Sequence, residues 1–193
     1  VVMLPETTNN RQVRFGFEGV TSVGAADNET LFVAFQREWH NDPDDQVRIG
    51  RYDTASDQWT FYYYPLDAAQ SPNGGWVGLS EITALDNDEF AVIERDNQAN
   101  TDARIKRIYR FSVAGLTPQA DAAEGETPAF PMVSKVLVRD LIPDLEGTGG
   151  MVLEKIEGLA VTADDEGLII NDNDGVDDSN GETQLIRIKD ILN

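Results

Sequence analysis

Apolar and polar residues alternate with period two in short runs along this chain, the pattern of strands with one buried face. Such runs occupy positions 31–35, 47–52, 59–64, 104–111, 133–138 and 184–188. Turn-forming clusters separate them: Asp53-Thr54-Ala55-Ser56-Asp57, Pro72-Asn73-Gly74-Gly75 and Asp174-Gly175. Nowhere does an apolar period of three to four residues persist between helix caps. The pattern predicts a nearly all-β fold.

The strands recur as a unit. Phe17-Glu18-Gly19-Val20-Thr21, Ser80-Glu81-Ile82-Thr83-Ala84 and Ile156-Glu157-Gly158-Leu159-Ala160 share a Glu followed by a strand. Each leads through an acidic turn to a second apolar strand with a polar end: Gln36-Arg37-Glu38, Glu94-Arg95-Asp96 and Asn171-Asp172-Asn173. A longer hairpin follows the first two units, 47–53 with 59–66 and 104–113 with 133–141; only 184–188 follows the third. Two short strands and two long ones make the four-stranded blade of a β-propeller. The expected blades cover about 12–66, 78–142 and 155–193 of the sequence. Glu-to-Glu spacings of 63 and 76 (81 − 18 and 157 − 81) exceed compact propeller repeats of roughly 40–50 residues. The excess sits in loops such as 117–130, whose Ala, Glu, Pro and Thr content predicts a mobile insertion. A ring closes with about four to eight blades. About three make an incomplete propeller, so the missing blades are expected from the same precursor upstream or from a second chain.

Charge narrows the partners. The 193 residues carry 35 acidic and 15 basic side chains, a net charge of −20. Such a surface repels phosphate backbones and anionic lipid, which argues against nucleic-acid and membrane-surface binding. It attracts divalent cations, or keeps the protein soluble at high ionic strength. No cysteine is present, so disulfides, thiolate nucleophiles and Cys-type metal sites are excluded. The one histidine, His40, sits in an acidic loop and reads as a solvated surface residue. No apolar run reaches the roughly 18 residues of a membrane span. The opening Val1-Val2-Met3-Leu4-Pro5 has neither an initiator Met nor a signal peptide, a start that suits a chain whose upstream part has been removed.

Five segments resemble the phytase-like family, whose members are described as having esterase-like activity. These are Gly16-Phe17-Glu18-Gly19-Val20-Thr21, Trp76-Val77-Gly78-Leu79-Ser80-Glu81-Ile82, Ala91-Val92-Ile93-Glu94-Arg95-Asp96-Asn97, Lys155-Ile156-Glu157-Gly158-Leu159-Ala160, and positions 171–185 from Asn171-Asp172-Asn173 to Gln184-Leu185. The resemblance runs from about Arg14 to Ile188 and matches the C-terminal part of the family's domain. It implies a β-propeller, usually exported to the periplasm or beyond the cell, that hydrolyses phosphate or other esters.

Two clusters carry candidate chemistry. Asp172-Asn173-Asp174-Gly175-Val176-Asp177-Asp178 offers alternate carboxylates around a tight turn, which suits Ca2+ with its six to eight oxygen ligands. Asp172, Asp174, Asp177 and Asp178 are the candidate ligands, and the competing reading is a solvated acidic turn. The repeated glutamates Glu18, Glu81 and Glu157, with Arg95 and Asp96 at a strand end, form the candidate catalytic set. Around a central channel they would hold a cation or a phosphate oxygen, with a carboxylate as general base for water. Alternatively each Glu binds backbone N–H groups and fastens one blade to the next. The sequence therefore supports a metal-assisted ester or phosphomonoester hydrolase. Its rival is a non-catalytic exported calcium-binding propeller that serves as a structural or interaction module.

Overall fold

The computed structural model describes residues 4, 14–26, 28–147, 149, 151–173 and 183–192. Eleven strands among them form three antiparallel sheets in chain order. The first sheet is β1 (Phe17–Val23), β2 (Thr30–Phe35), β3 (Gln46–Asp53) and β4 (Gln58–Pro65). The second is β5 (Val77–Ala84), β6 (Glu89–Asp96), β7 (Lys106–Ser112) and β8 (Lys135–Asp140). The third holds β9 (Ile156–Val161), β10 (Gly167–Asn171) and β11 (Leu185–Ile188). Among the described residues helix is confined to a 3-10 turn at Asn100–Asp102 and to the short α1 (Ile142–Gly147), which the strand pattern does not foretell. The described residues form no closed ring.

The turn residues act as their chemistry dictates. Between β3 and β4, the Asp53 carboxylate accepts from the N–H groups of Ala55 (3.1 Å) and Ser56 (2.9 Å). Asp57 then takes a left-handed φ of 58° that returns the chain. Short polar side chains tolerate that conformation.

The sheets stack face against face. Phe32, Ala34, Ile49, Tyr62 and Tyr64 of the first meet Leu79, Ile82, Phe90, Val92 and Phe111 of the second. Ala91, Ile93 and Ile108 on the opposite face of the second meet Ile156, Leu159 and Ile169 of the third, with Leu145 of α1 beside them. A third, aromatic layer covers the far face of the first sheet: Phe35, Trp39, Trp59, Phe61, Tyr63 and Phe130.

The innermost strands β1, β5 and β9 lie side by side. Ser80 Oγ donates to Ile156 O at 2.7 Å, Thr83 Oγ1 to Leu159 O at 2.8 Å, and Ala84 N to Thr21 Oγ1 at 3.1 Å. Each inner strand carries a bulge against its partner. Phe17 pairs Phe35 while Gly19 pairs Ala34; Leu79 pairs Glu94 while Glu81 pairs Ile93; Ile156 pairs Asn171 while Gly158 pairs Ile170. Equivalent positions are therefore Glu18, Ser80 and Glu157. Aligning the repeats on their glutamates places Glu81 one residue out of register, because a bulge sets two residues against one.

At Gly19 the first two inner strands pack closely. A Cβ there would stand 2.6 Å from Ile82 N and 2.7 Å from a Glu81 carboxylate oxygen. Gly19→Ala is expected to push β1 from β5 and cost roughly 1–3 kcal/mol, as overpacking does. Thermal melting of the variant checks this; an unchanged midpoint would contradict the close packing.

Segment 117–130 departs from the mobile insertion its composition predicts. Gln119 exchanges backbone hydrogen bonds with Phe61 (2.8 and 3.2 Å), and Tyr63 does so with Pro131 and Val133 (both 2.9 Å). The second sheet's loop thus caps the outer edge of β4, which an unpaired strand requires. The fastening comes from Arg48, a fully buried residue of β3. Its guanidinium binds Asp42 through Nε and Nη2 (both 2.8 Å) and Asp121 through Nη1 (2.8 Å). It also lies 3.9 Å from the centre of the Trp39 ring and 5.0 Å from that of Phe130.

Candidate functional site

Three consecutive charged residues at the end of β6 face three different surroundings. Glu94, fully buried, points to the first sheet: Oε2 accepts from Tyr64 OH (2.8 Å) and Lys135 Nζ (2.7 Å), and Oε1 from Asp67 N (2.7 Å). Asp96 points back into its own sheet, where it accepts from Arg104 N (2.7 Å), Ile105 N (3.0 Å) and Lys106 Nζ (2.8 Å). Burial lowers the Lys106 ammonium to a pKa of about 8, against the opposing pull of Asp96. Between them, Arg95 points toward the inner strand β9, whose Glu157 it binds.

There a polar cavity of about 460 Å3 opens at the bulged ends of the inner strands. Its wall includes Glu18 and Glu157, the bulge residues of β1 and β9. Gln36, Arg95 and Asp172, the residues that follow the equivalent pairing positions Phe35, Glu94 and Asn171, line it as well. Register alone brings these side chains together from three sheets. Trp76 roofs the cavity. Its backbone N–H is held by Asn97 Oδ1 (2.8 Å), and its ring lies 5.4 Å from the Arg95 guanidinium and 5.6 Å from that of Arg37. Glu154, Lys155 and Arg14 complete the charged lining.

Arg95 is 2% exposed. Its Nη2 donates to Glu157 Oε1 at 2.6 Å, while Nη1 stands 3.9 Å from Glu154. Among the described residues, Nε and Nη1 have no hydrogen-bond partner. Buried donors without acceptors are costly, and a cationic pair of them at a cavity wall suits an oxyanion. Glu18 lines the same cavity. Burial and the Glu157 charge raise its pKa to about 7, although Arg95 and Lys155 pull it down. One carboxyl is thus poised near neutrality beside one buried guanidinium, the juxtaposition expected where a proton moves near an anion.

Glu18, Glu157 and Arg95 of the sequence-predicted set meet here. Glu81 and Asp96 lie elsewhere. The Glu81 carboxyl accepts from Ile82 N (2.8 Å) and from Leu159 N–H; its burial raises its pKa, and these bonds reverse only part of that rise. It bridges β5 to β9 and abuts Gly19 of β1. Asp96 is consumed by its loop. Of the predicted calcium ligands, Asp172 lines the cavity, where its backbone N–H donates to Lys155 O at 2.9 Å. Asp174, Asp177 and Asp178 lie outside the described residues. Among the described residues no three acidic or histidine side chains are grouped to hold a metal ion. His40 is exposed, as expected. Sequence reading did not single out Gln36, Trp76, Glu154 or Lys155. Aligning the repeats on the apolar residue before each bulge, Phe17, Leu79 and Ile156, would have pointed to Gln36.

Stacked antiparallel sheets of three and four strands with a charged cavity at their inner strands define the class of protein. The chain belongs to the phytase-like family, whose model, described as esterase-like activity of phytase, matches residues 1–175. No curated protein and no solved structure matches it. Membership suggests a hydrolase-type β-propeller. No helix among the described residues is long and apolar enough to cross a membrane.

Proposed function

We propose that the three sheets are successive blades of a β-propeller and that the cavity at their inner ends hydrolyses esters of anionic groups, phosphomonoesters foremost. The observation that carries this reading is Arg95, buried at the wall with two unsatisfied donors and aligned by Glu157. A phosphoryl oxygen entering the cavity is paired with the Arg95 guanidinium. Glu18 accepts a proton from water as the water oxygen bonds to phosphorus. The bond from phosphorus to the ester oxygen breaks, and the departing oxygen takes a proton from solvent. Arg95 neutralises charge that grows in the transition state, and Glu157 is a positioning residue for it. Export belongs to the same proposal and rests on the family alone.

Calcium enters the proposal at the acidic loop 172–178 as a stabiliser. The step as proposed uses Glu18, Arg95 and Glu157, and the ion is proposed as a support of the fold. Hydrolysis of 4-nitrophenyl phosphate and 4-nitrophenyl acetate, each with calcium and with chelator, tests both parts. Turnover of the phosphate ester in both conditions is expected, together with a higher melting temperature in calcium, because an ion that binds only the folded state stabilises it. Absence of turnover in every condition would leave the non-catalytic scaffold as the better reading.

A further inference from the structure

The three sheets share a pairing register at the cavity but not the side chain that it presents. Phe35, Glu94 and Asn171 pair Phe17, Leu79 and Ile156, and the residues that follow are Gln36, Arg95 and Asp172. The backbone repeats too: Gln36 N donates to Gly16 O at 3.1 Å, and Asp172 N to Lys155 O at 2.9 Å. A role in the architecture would repeat with the backbone. An amide, a guanidinium and a carboxylate at one repeated place serve a site instead.

Of these three, Gln36 has a side chain that the fold does not use for hydrogen bonding. The residue is 7% exposed and lines the cavity. Its backbone is engaged on both sides, by Gly16 O and by Leu79 N, which donates to Gln36 O at 3.1 Å. Among the described residues no hydrogen bond reaches its side-chain amide. An enclosed amide left unpaired is costly unless a ligand or water meets it. Packing aims it: a Cβ on Gly78 would stand 3.1 Å from Gln36 Cγ and 3.1 Å from the Trp76 ring. Glu18 follows Phe17, and Gln36 follows that residue's partner Phe35. Base and amide therefore reach the cavity from adjoining strands of one sheet.

We infer that the Gln36 amide oxygen orients the water that Glu18 deprotonates, an assignment that rests on the hydrolytic reading above. A water that gives one hydrogen to Glu18 and the other to Gln36 turns a lone pair toward phosphorus. As its oxygen bonds to phosphorus, the first proton passes to Glu18. The second stays on that oxygen, hydrogen-bonded to Gln36. The ester bond breaks, and the departing oxygen takes its proton from solvent. A carboxylate in this place would accept the same hydrogen bond but repel the phosphoryl group, whereas an amide oxygen accepts without a net charge. A glutamine orients the attacking water in the same manner in GTP-hydrolysing proteins.

Steady-state kinetics of the wild type, Gln36→Met and Gln36→Glu on 4-nitrophenyl phosphate at pH 8 test this, with circular dichroism to verify folding. Gln36→Met keeps the length of the side chain and its packing on Gly78 but removes both hydrogen-bonding groups. Its kcat is expected to fall roughly tenfold to a hundredfold, with KM held within about twofold. Gln36→Glu restores an acceptor, so kcat should recover relative to the methionine variant while KM rises from charge repulsion. A residue that only packed would give the reverse order, with methionine harmless and the carboxylate damaging. Gln36→Asn withdraws the amide by one methylene and should likewise lower kcat at constant KM, even if the methionine variant does not fold. Wild-type kcat in Gln36→Met or Gln36→Asn, or a lower kcat in Gln36→Glu than in Gln36→Met, would overturn the assignment and leave Glu18 and Arg95 in place. A wild type without turnover would overturn the hydrolytic reading and this assignment with it.

Discussion

Replacing Arg95 with glutamine is expected to lower kcat/KM for a phosphomonoester by roughly 10²–10³-fold, the usual effect of deleting a charge-stabilising donor from an active site. Glutamine keeps a hydrogen-bonding head but loses the charge and the fork that reach Glu157 and the cavity together. The loss should fall on kcat as well as KM, since the contact strengthens as charge develops. Glu157→Gln should produce a smaller loss in the same direction, because it releases Arg95 without removing it. Kinetics of both variants on 4-nitrophenyl phosphate provide the check. An Arg95→Gln protein with wild-type turnover would remove Arg95 from the mechanism.

The largest expected effect on stability comes from Arg48→Met. Arg48, Asp42 and Asp121 are all buried, with side-chain exposures of 0%, 0% and 2%. Removing the cation leaves two buried carboxylates without their counter-ion, and breaking a buried pair from one side costs about 3–5 kcal/mol. For a chain of this size that corresponds to a fall of roughly 10 °C in the melting temperature. Asp42 keeps two partners, Trp39 N (2.9 Å) and Tyr63 OH (2.8 Å); Asp121 loses its ion pair. Adding Asp121→Asn to Arg48→Met should therefore recover part of the loss, whereas Asp121→Asn alone should destabilise. Thermal melts of the three variants give the coupling directly. Segment 117–130 should also become sensitive to protease in Arg48→Met, since Asp121 is its anchor.

Strand positions were legible because most strands have an alternating face, and alternation survives in a single sequence. Thr30–Phe35 and Gln58–Pro65 fall within a residue or two of the apolar runs that signal them. The limits of legibility have particular causes. Val47-Arg48-Ile49 alternates as if Arg48 faced water, but Trp39, Phe61 and Phe130 cover that part of the sheet, so its polar position is buried beneath aromatic rings. Segment 117–130 has the composition of a disordered loop, yet Arg48 and Phe61, distant in sequence, hold it. Glu81 matched Glu18 and Glu157 by identity, whereas pairing aligns Ser80 with them, because the bulge is a property of two strands and not of one. Arg95 was legible as a strand-end charge; its unsatisfied donors were not, since they depend on what the third sheet brings near.

Glu18 ties the site to pH. Its folded pKa of about 7 stands above the ordinary 4.5, so the protonated form is the one the fold favours. The stabilising contribution is present in full below the unfolded value and is lost as pH rises through about 7. At pH 8, Glu18→Gln should accordingly melt no lower than the wild type.

The most direct test of the account is the pH dependence of kcat/KM for phosphomonoester hydrolysis by the wild type and by Glu18→Gln. Wild-type kcat/KM is expected to rise with pH through a midpoint near 7 and then level, as a base of that pKa requires. The variant is expected to show a low, flat profile over the same range. A rising limb that persists in Glu18→Gln, or a wild-type profile flat from pH 5 to pH 9, would contradict it.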